Sequence, residues 1–170
     1  VSRSTYRAIK LAYRQGGLKR SMPVYPGARD LTVRIRAAGG RVFICSTRPY
    51  LRLENIDSDT RHWLTRRARV QYDGFIWGEH KYRDLVKSCG ITNIVGVLED
   101  LPLLSDQAMG LGITVYLRDQ PYNRHLQDNH YNCGADDGAR SSPKRVRVYN
   151  LQEAEKYLLE DLHAWKARQR

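Results

Sequence analysis

The stretch Gly39-Gly40-Arg41-Val42-Phe43-Ile44-Cys45-Ser46-Thr47-Arg48-Pro49 reads as a helix stop, a short buried strand, and a polar turn at the strand's carboxyl end. Two glycines end a helix readily, and an apolar run of four or five residues without alternation fits a strand covered on both faces. The carboxyl ends of strands in an open α/β sheet are where ligands bind. Hydroxyls and an arginine at such an end suit a phosphate. Val95-Gly96-Val97-Leu98-Glu99-Asp100 repeats the layout with an acidic turn, so function depends on whether the two strand ends meet.

Outward from these stretches, strands and helices alternate. An amphipathic helix is expected over 2–15, with Arg3, Arg7, Lys10 and Arg14 on one face and Tyr6, Ile9 and Tyr13 on the other. That basic face reads either as a solvated surface or as a phosphate-binding one. Pro23 and Pro26 mark a connecting loop, and a second helix runs from Gly27 to Gly39. A third helix is expected with Asp57 or Ser58 as its N-cap, then a strand over 70–76, a helix over 80–89, and an apolar strand over 93–98. Pro102 opens a further helix, Ile113 to Leu117 forms a strand, and Val146 to Tyr149 a last one. Asn150 and Glu153 make an N-cap and N3 acid pair for a closing helix that packs Ala154, Leu158, Leu162 and Trp165. Between Asp119 and Pro143 the pattern gives way to a long polar loop. The expected architecture is one α/β domain, a parallel sheet with helices on both faces over 26–170, preceded over 1–25 by the remnant of a cap or a helical lead-in.

Composition bounds the partners. The 170 residues carry 29 Lys and Arg against 18 Asp and Glu, a net charge of +11. This balance favours anionic partners such as nucleotides or nucleic acid. No apolar run reaches the roughly 18 residues of a membrane span, and no leader pattern is visible, so a cytoplasmic location without membrane contact is expected. The three cysteines, Cys45, Cys89 and Cys133, have neither disulfide-framework nor metal-knuckle spacing. His125, His130 and Cys133 match no standard zinc pattern and read as polar loop residues.

Three polar positions at successive element ends fit one reaction. Ser46 can bind a phosphoryl oxygen, Lys81 can neutralise developing charge, and Asp100 can hold Mg²⁺ together with a phosphate. The order Phe43-Ile44-Cys45-Ser46-Thr47-Arg48-Pro49, then Lys81, then Val97-Leu98-Glu99-Asp100-Leu101-Pro102 resembles the second to fourth motifs of the haloacid dehalogenase (HAD) superfamily over residues 26–123. The likeness is to the branch with the 5'(3')-deoxyribonucleotidases and the 3'-phosphatase domain of phage polynucleotide kinases. Thr60-Arg61-His62-Trp63-Leu64, Tyr72-Asp73-Gly74, and the run from Leu117 to the Pro-Tyr-Asn turn ending at Asn123 contribute to it.

The resemblance implies a HAD-like, Rossmann-like fold and an Mg²⁺-dependent phosphohydrolase acting on nucleotide or nucleic-acid monoesters. It implies Ser46, Thr47, Arg48 and Lys81 as phosphate-binding residues, with Ser46 and Lys81 catalytic. Asp100 would be a metal ligand, with Glu99 beside it or behind it. The family's nucleophile motif, Asp-x-Asp-x-Thr on a central first strand, is not in this sequence. Asp57-Ser58-Asp59-Thr60 matches its pattern only superficially, no apolar strand precedes it, and an N-cap explains it better. The resemblance therefore implies a sheet short of its central strand, through a fragment, a late-starting reading frame or a degenerate member. The alternative reading is an inactive relative that binds nucleic acid or a protein through its basic surface.

Overall fold

In the computed structural model, residues 1–47, 53–130 and 143–169 are described. The elements in order are α1 (Arg3–Gln15), α2 (Ala28–Ala37), β1 (Phe43–Ser46), α3 (Asn55–His62), β2 (Gly74–Trp77), α4 (Lys81–Cys89), β3 (Val97–Glu99), α5 (Pro102–Gly110), β4 (Val115–Arg118), β5 (Asn129–His130), β6 (Lys144–Val148) and α6 (Leu151–Arg168). Strands and helices alternate as expected, and the fold is α/β. No helix among the described residues is long and apolar enough to cross a membrane.

The expected parallel sheet, short of a central strand on the resemblance, is found as two separate sheets. β1 and β2 form a two-stranded parallel sheet, while the second sheet has the order β3-β4-β6-β5. In it β3, β4 and β6 are parallel and β5 is antiparallel to β6 at the edge. Hydrogen-bond direction explains why β1 and β3 do not join. Val42 and Ser46 direct their carbonyls at Asp73 N and Gly78 N beside β2, and Val97 N donates to Thr114 O beside β4. Strand residues alternate the side to which their main-chain groups point in a parallel ladder. Phe43 and Cys45 therefore turn their amides and carbonyls away from β2, and Leu98 turns its own away from β4. Among the described residues each of these two strands has one edge without a ladder partner.

Packing unites the two sheets even without a shared ladder. Val97, Val115 and Leu117 project into a core with Tyr82 and Leu85 of α4 and with Leu104, Ala108 and Met109 of α5. Phe43, Cys45 and Ile76 of the smaller sheet pack against the same cluster. The alternate residues Leu98, Tyr116, Val146 and Val148 face Ala154, Tyr157 and Leu158 of α6 on the opposite side. This strand periodicity of two puts helices on both faces of the larger sheet. Gly96 allows a close approach here, since a Cβ there would lie 2.6 Å from the Tyr116 ring.

Local signals fared unevenly. Asn150 caps α6, accepting from Glu153 N at 2.7 Å, as its spacing predicts. The strand expected over 70–76 begins only at Gly74. Val70 N is spent on Leu64 O and Gln71 N on the Thr32 hydroxyl, which removes these two residues from any ladder. The strand expected over 93–98 forms over Val97–Glu99, because Ile91–Asn93 make a tight turn behind Gly90. α3 starts at Asn55, not at an Asp57 or Ser58 cap. Asp57 instead pairs with Arg61 one turn along the helix. The lead-in over 1–25 is stitched to α3 and the turn behind it: Asn55 donates to Gln15 O, and the Trp63 indole donates to Met22 O.

Candidate functional site

Lys81 is the first residue of α4 and is only 6 % exposed. Its ammonium donates to Glu99 Oε2 at 2.5 Å and lies 3.5 Å from Cys45 O. One side chain thus reaches the main chain next to Ser46 and the carboxylate next to Asp100. The strand ends of β1 and β3 do meet, across Lys81.

Glu99 is buried and fully occupied. Its Oε2 accepts from Lys81 and from the Tyr82 hydroxyl, each at 2.5 Å, and its Oε1 accepts from Asp100 N at 2.9 Å and Leu101 N at 3.1 Å. A carboxylate has about four lone-pair directions, and four donors take them. Burial pushes the Glu99 carboxyl up, but the Lys81 charge and these hydrogen bonds outweigh it and hold the group below its ordinary range. As folded, Glu99 is therefore a buried anion that positions Lys81 and closes the turn into α5. Any metal bond from it would require breaking one of these contacts.

Asp100 is in a different state. Burial, then the neighbouring Glu99, pushes its carboxyl up, against a lowering hydrogen bond from Tyr122. That bond runs from the Tyr122 hydroxyl to Asp100 Oδ2. Asn123, fully buried, donates to Asp100 O and Arg118 O, both at 2.8 Å. The Pro121–Asn123 turn therefore clamps the acidic strand end. The turn is itself held by Arg147 of β6, whose guanidinium reaches Asp119, the side chain and carbonyl of Asn123, and Leu126 O.

Ser46 ends β1 half-buried, and Thr47 beyond it is exposed. Arg48, the remaining expected phosphate contact, lies outside the described residues. The Cys45 thiol, just before Ser46, is pushed up to about 11 by burial, with Lys81 acting in the opposite direction.

No protein-family model, curated protein or solved structure matches this chain.

The structure thus brings Ser46, Lys81, Glu99 and Asp100 into one neighbourhood. Sequence reasoning missed Tyr82 and Arg147, and it noted Tyr122 and Asn123 without giving them a role. Tyr82 had a readable signal, since the first turn of a helix opening on a buried lysine places its neighbour near the same partner. Arg147 had none, because an arginine within a strand ordinarily reads as an exposed position.

No group of three or more His, Cys, Asp or Glu among the described residues could hold a metal ion. A single aspartate is compatible with Mg²⁺, which keeps several waters and commonly takes one or two carboxylates together with substrate phosphates. Of the two expected ligands, Asp100 is the acid with coordination capacity left.

Proposed function

We propose that the chain carries an Mg²⁺-dependent phosphohydrolase site of haloacid dehalogenase type, acting on phosphate monoesters of nucleotides or nucleic acid. The observation that carries this reading is the Lys81 ammonium, held between the carboxyl ends of β1 and β3 by Cys45 O and Glu99. Among the described residues two of its three N–H donors have acceptors there, and the reading gives the third to a phosphoryl oxygen. Ser46 and Thr47 supply hydroxyls on the β1 side, and Asp100 supplies a carboxylate on the β3 side.

The charge balance supports a requirement for a cation. Glu99 neutralises Lys81, so an ionised Asp100 leaves the group net negative toward an incoming phosphate. Mg²⁺ bound by Asp100 and the substrate would reverse that sign and polarise the phosphoryl group. The free edges of β1 and β3 support the further idea that the nucleophile belongs on a strand between them.

A second reading, a non-catalytic domain that binds nucleic acid or a protein through its basic surface, is favoured by the saturation of Glu99. It is favoured also by the lack of an Asp-x-Asp-x-Thr segment in these residues. Assays with p-nitrophenyl phosphate and deoxynucleoside monophosphates, with and without Mg²⁺, separate the two. Turnover that needs Mg²⁺ and disappears in Asp100→Asn supports the phosphohydrolase. An absence of turnover in the folded protein sinks it for this chain.

A further inference from the structure

A second basic feature lies apart from the strand ends. Arg20, Ser21, His62, Arg66 and Arg67 line a cleft of about 360 Å³. None of these residues belongs to the site above, and each element contributes for a readable reason.

The segment Trp63–Arg67 continues α3 as a widened π-type turn, with Ala68 N donating to Trp63 O, five residues back. In a regular α-helix, residues four apart share a face and residues five apart do not. Widening the turn brings a residue five positions on nearly over its predecessor, so Arg66 and Arg67 flank the direction of His62. Such π-turns concentrate at functional sites. The turn ends at Arg69, which adopts a positive φ of 52°, uncommon for a residue with a side chain.

Arg20 arrives from the turn Leu18–Ser21 and is anchored from behind. Its Nε donates to Asp59 Oδ1 at 2.7 Å, while Asp59 is 2 % exposed and its Oδ2 has no hydrogen-bond partner. The bond fixes the guanidinium by one edge and leaves its terminal nitrogens to the cleft. Arg66, Arg67 and His62 are exposed and form no side-chain ion pair or hydrogen bond with a described residue. Three guanidiniums gathered around one cavity, with a single buried carboxylate behind them, repel one another until an anion enters.

We infer that this cleft is a phosphate-binding site, with the Arg66 and Arg67 guanidiniums as the fork that grips the anion and Arg20 as its fixed third contact. Guanidinium is the side chain best matched to phosphate, because its planar donors bind two oxygens at once. The volume lies at the lower end of small-ligand pockets, enough for one phosphorylated unit. The phosphate belongs either to a free phosphorylated molecule or to a nucleic-acid strand crossing the cleft.

Calorimetric titration with pyrophosphate, and anisotropy titration with a short single-stranded oligonucleotide lacking terminal phosphates, test the inference and distinguish its sources. Pyrophosphate is expected to bind, and the double variant Arg66→Ala/Arg67→Ala to weaken it at least about tenfold, the loss of one charge-assisted bond or more. Binding of pyrophosphate alone assigns a free phosphorylated ligand. Oligonucleotide binding that pyrophosphate displaces assigns the nucleic-acid strand. The double lysine variant, which keeps the charge but not the fork, is expected to fall in between and serves if the alanine variant does not fold. The titrations are run without Mg²⁺, which the phosphohydrolase reading requires, so failure of the cleft and failure of that reading are told apart. The inference is overturned if neither ligand binds, or if Arg3→Ala/Arg7→Ala on α1 weakens binding as much as the cleft variant does.

Discussion

Replacing Lys81 by methionine removes the positive charge at the seam between the two sheets while keeping most of the side-chain volume. The Lys81 and Glu99 side chains are 8 % and 5 % exposed, so solvent cannot compensate for the loss. Breaking a buried pair by removing one member typically costs 3–5 kcal/mol. Three donors to Glu99 survive, from Tyr82, Asp100 N and Leu101 N, which places the expected cost near the lower bound, about 3 kcal/mol. At about 2–4 °C per kcal/mol for a chain of this size, the melting temperature should fall by about 6–12 °C.

The acid limb gives a sharper test because its sign reverses. In the parent protein Glu99 is held below its ordinary range. Its contribution is therefore complete above the unfolded carboxylate value, about 4.3, and is lost as pH falls through the lower folded value. In Lys81→Met, burial is the largest remaining influence and raises the carboxyl. The variant should then gain stability relative to the parent as pH falls, and lose it as pH rises through the raised value. Urea melts followed by circular dichroism at a series of pH values measure both effects. A loss under about 1 kcal/mol, or parallel acid limbs for the two proteins, would refute the buried-pair account. The double variant Lys81→Met/Glu99→Leu should recover much of the loss, since no orphaned charge remains.

Three further outcomes follow from the same contacts. Tyr122→Phe should raise the Asp100 carboxyl further above its ordinary value, read by carboxyl carbon NMR, at a cost of no more than about 1 kcal/mol because the phenol is half-exposed. Since the folded Asp100 value is already raised, its contribution is present at low pH and lost as pH rises, and the variant should steepen that loss. Arg147→Ala, which removes the bonds to Asp119, Asn123 and Leu126, should cost about 3 kcal/mol in a thermal melt; a near-unchanged melt would mean the turn holds without it. Cys45, with its thiol at about 11, should react with alkylating agents far more slowly in the folded protein than in urea, checked by mass spectrometry of the peptide containing it.

What could be read in the chain was local. Asn150 and Glu153 announce α6 because a cap is settled within four residues, and Lys81, Glu99 and Asp100 were legible as element ends. The division into two sheets was not legible in the residue pattern, and the resemblance implied only a sheet short of its central strand. It depends on which neighbour Val42 and Val97 bond to, a pairing across dozens of residues that leaves no periodic trace. The start of α3 was misplaced because Asp57 and Ser58 look like caps, while Asp57 pairs with Arg61 and the Ser58 hydroxyl donates to Asn55 O. The basic cleft escaped for a related reason: its arginines come from two separated segments, and the widened turn that sets Arg66 and Arg67 on either side of His62 has no compositional mark.

Because no ladder among the described residues joins β1 to β3, the fold has a seam. Neighbouring strands normally share several amide bonds that must break together, which makes a sheet cooperate as one unit. Here the polar tie between the two sheets runs through one ammonium and one carboxylate, with apolar packing from Phe43, Cys45 and Ile76 around it. Slow amide exchange should therefore divide along this line, with β4 most protected at the centre of its sheet and β1 and β2 opening as a smaller unit at lower free energy. A neutral modification of Lys81, such as acetylation, would act on the joint between the two halves before it acted on either half.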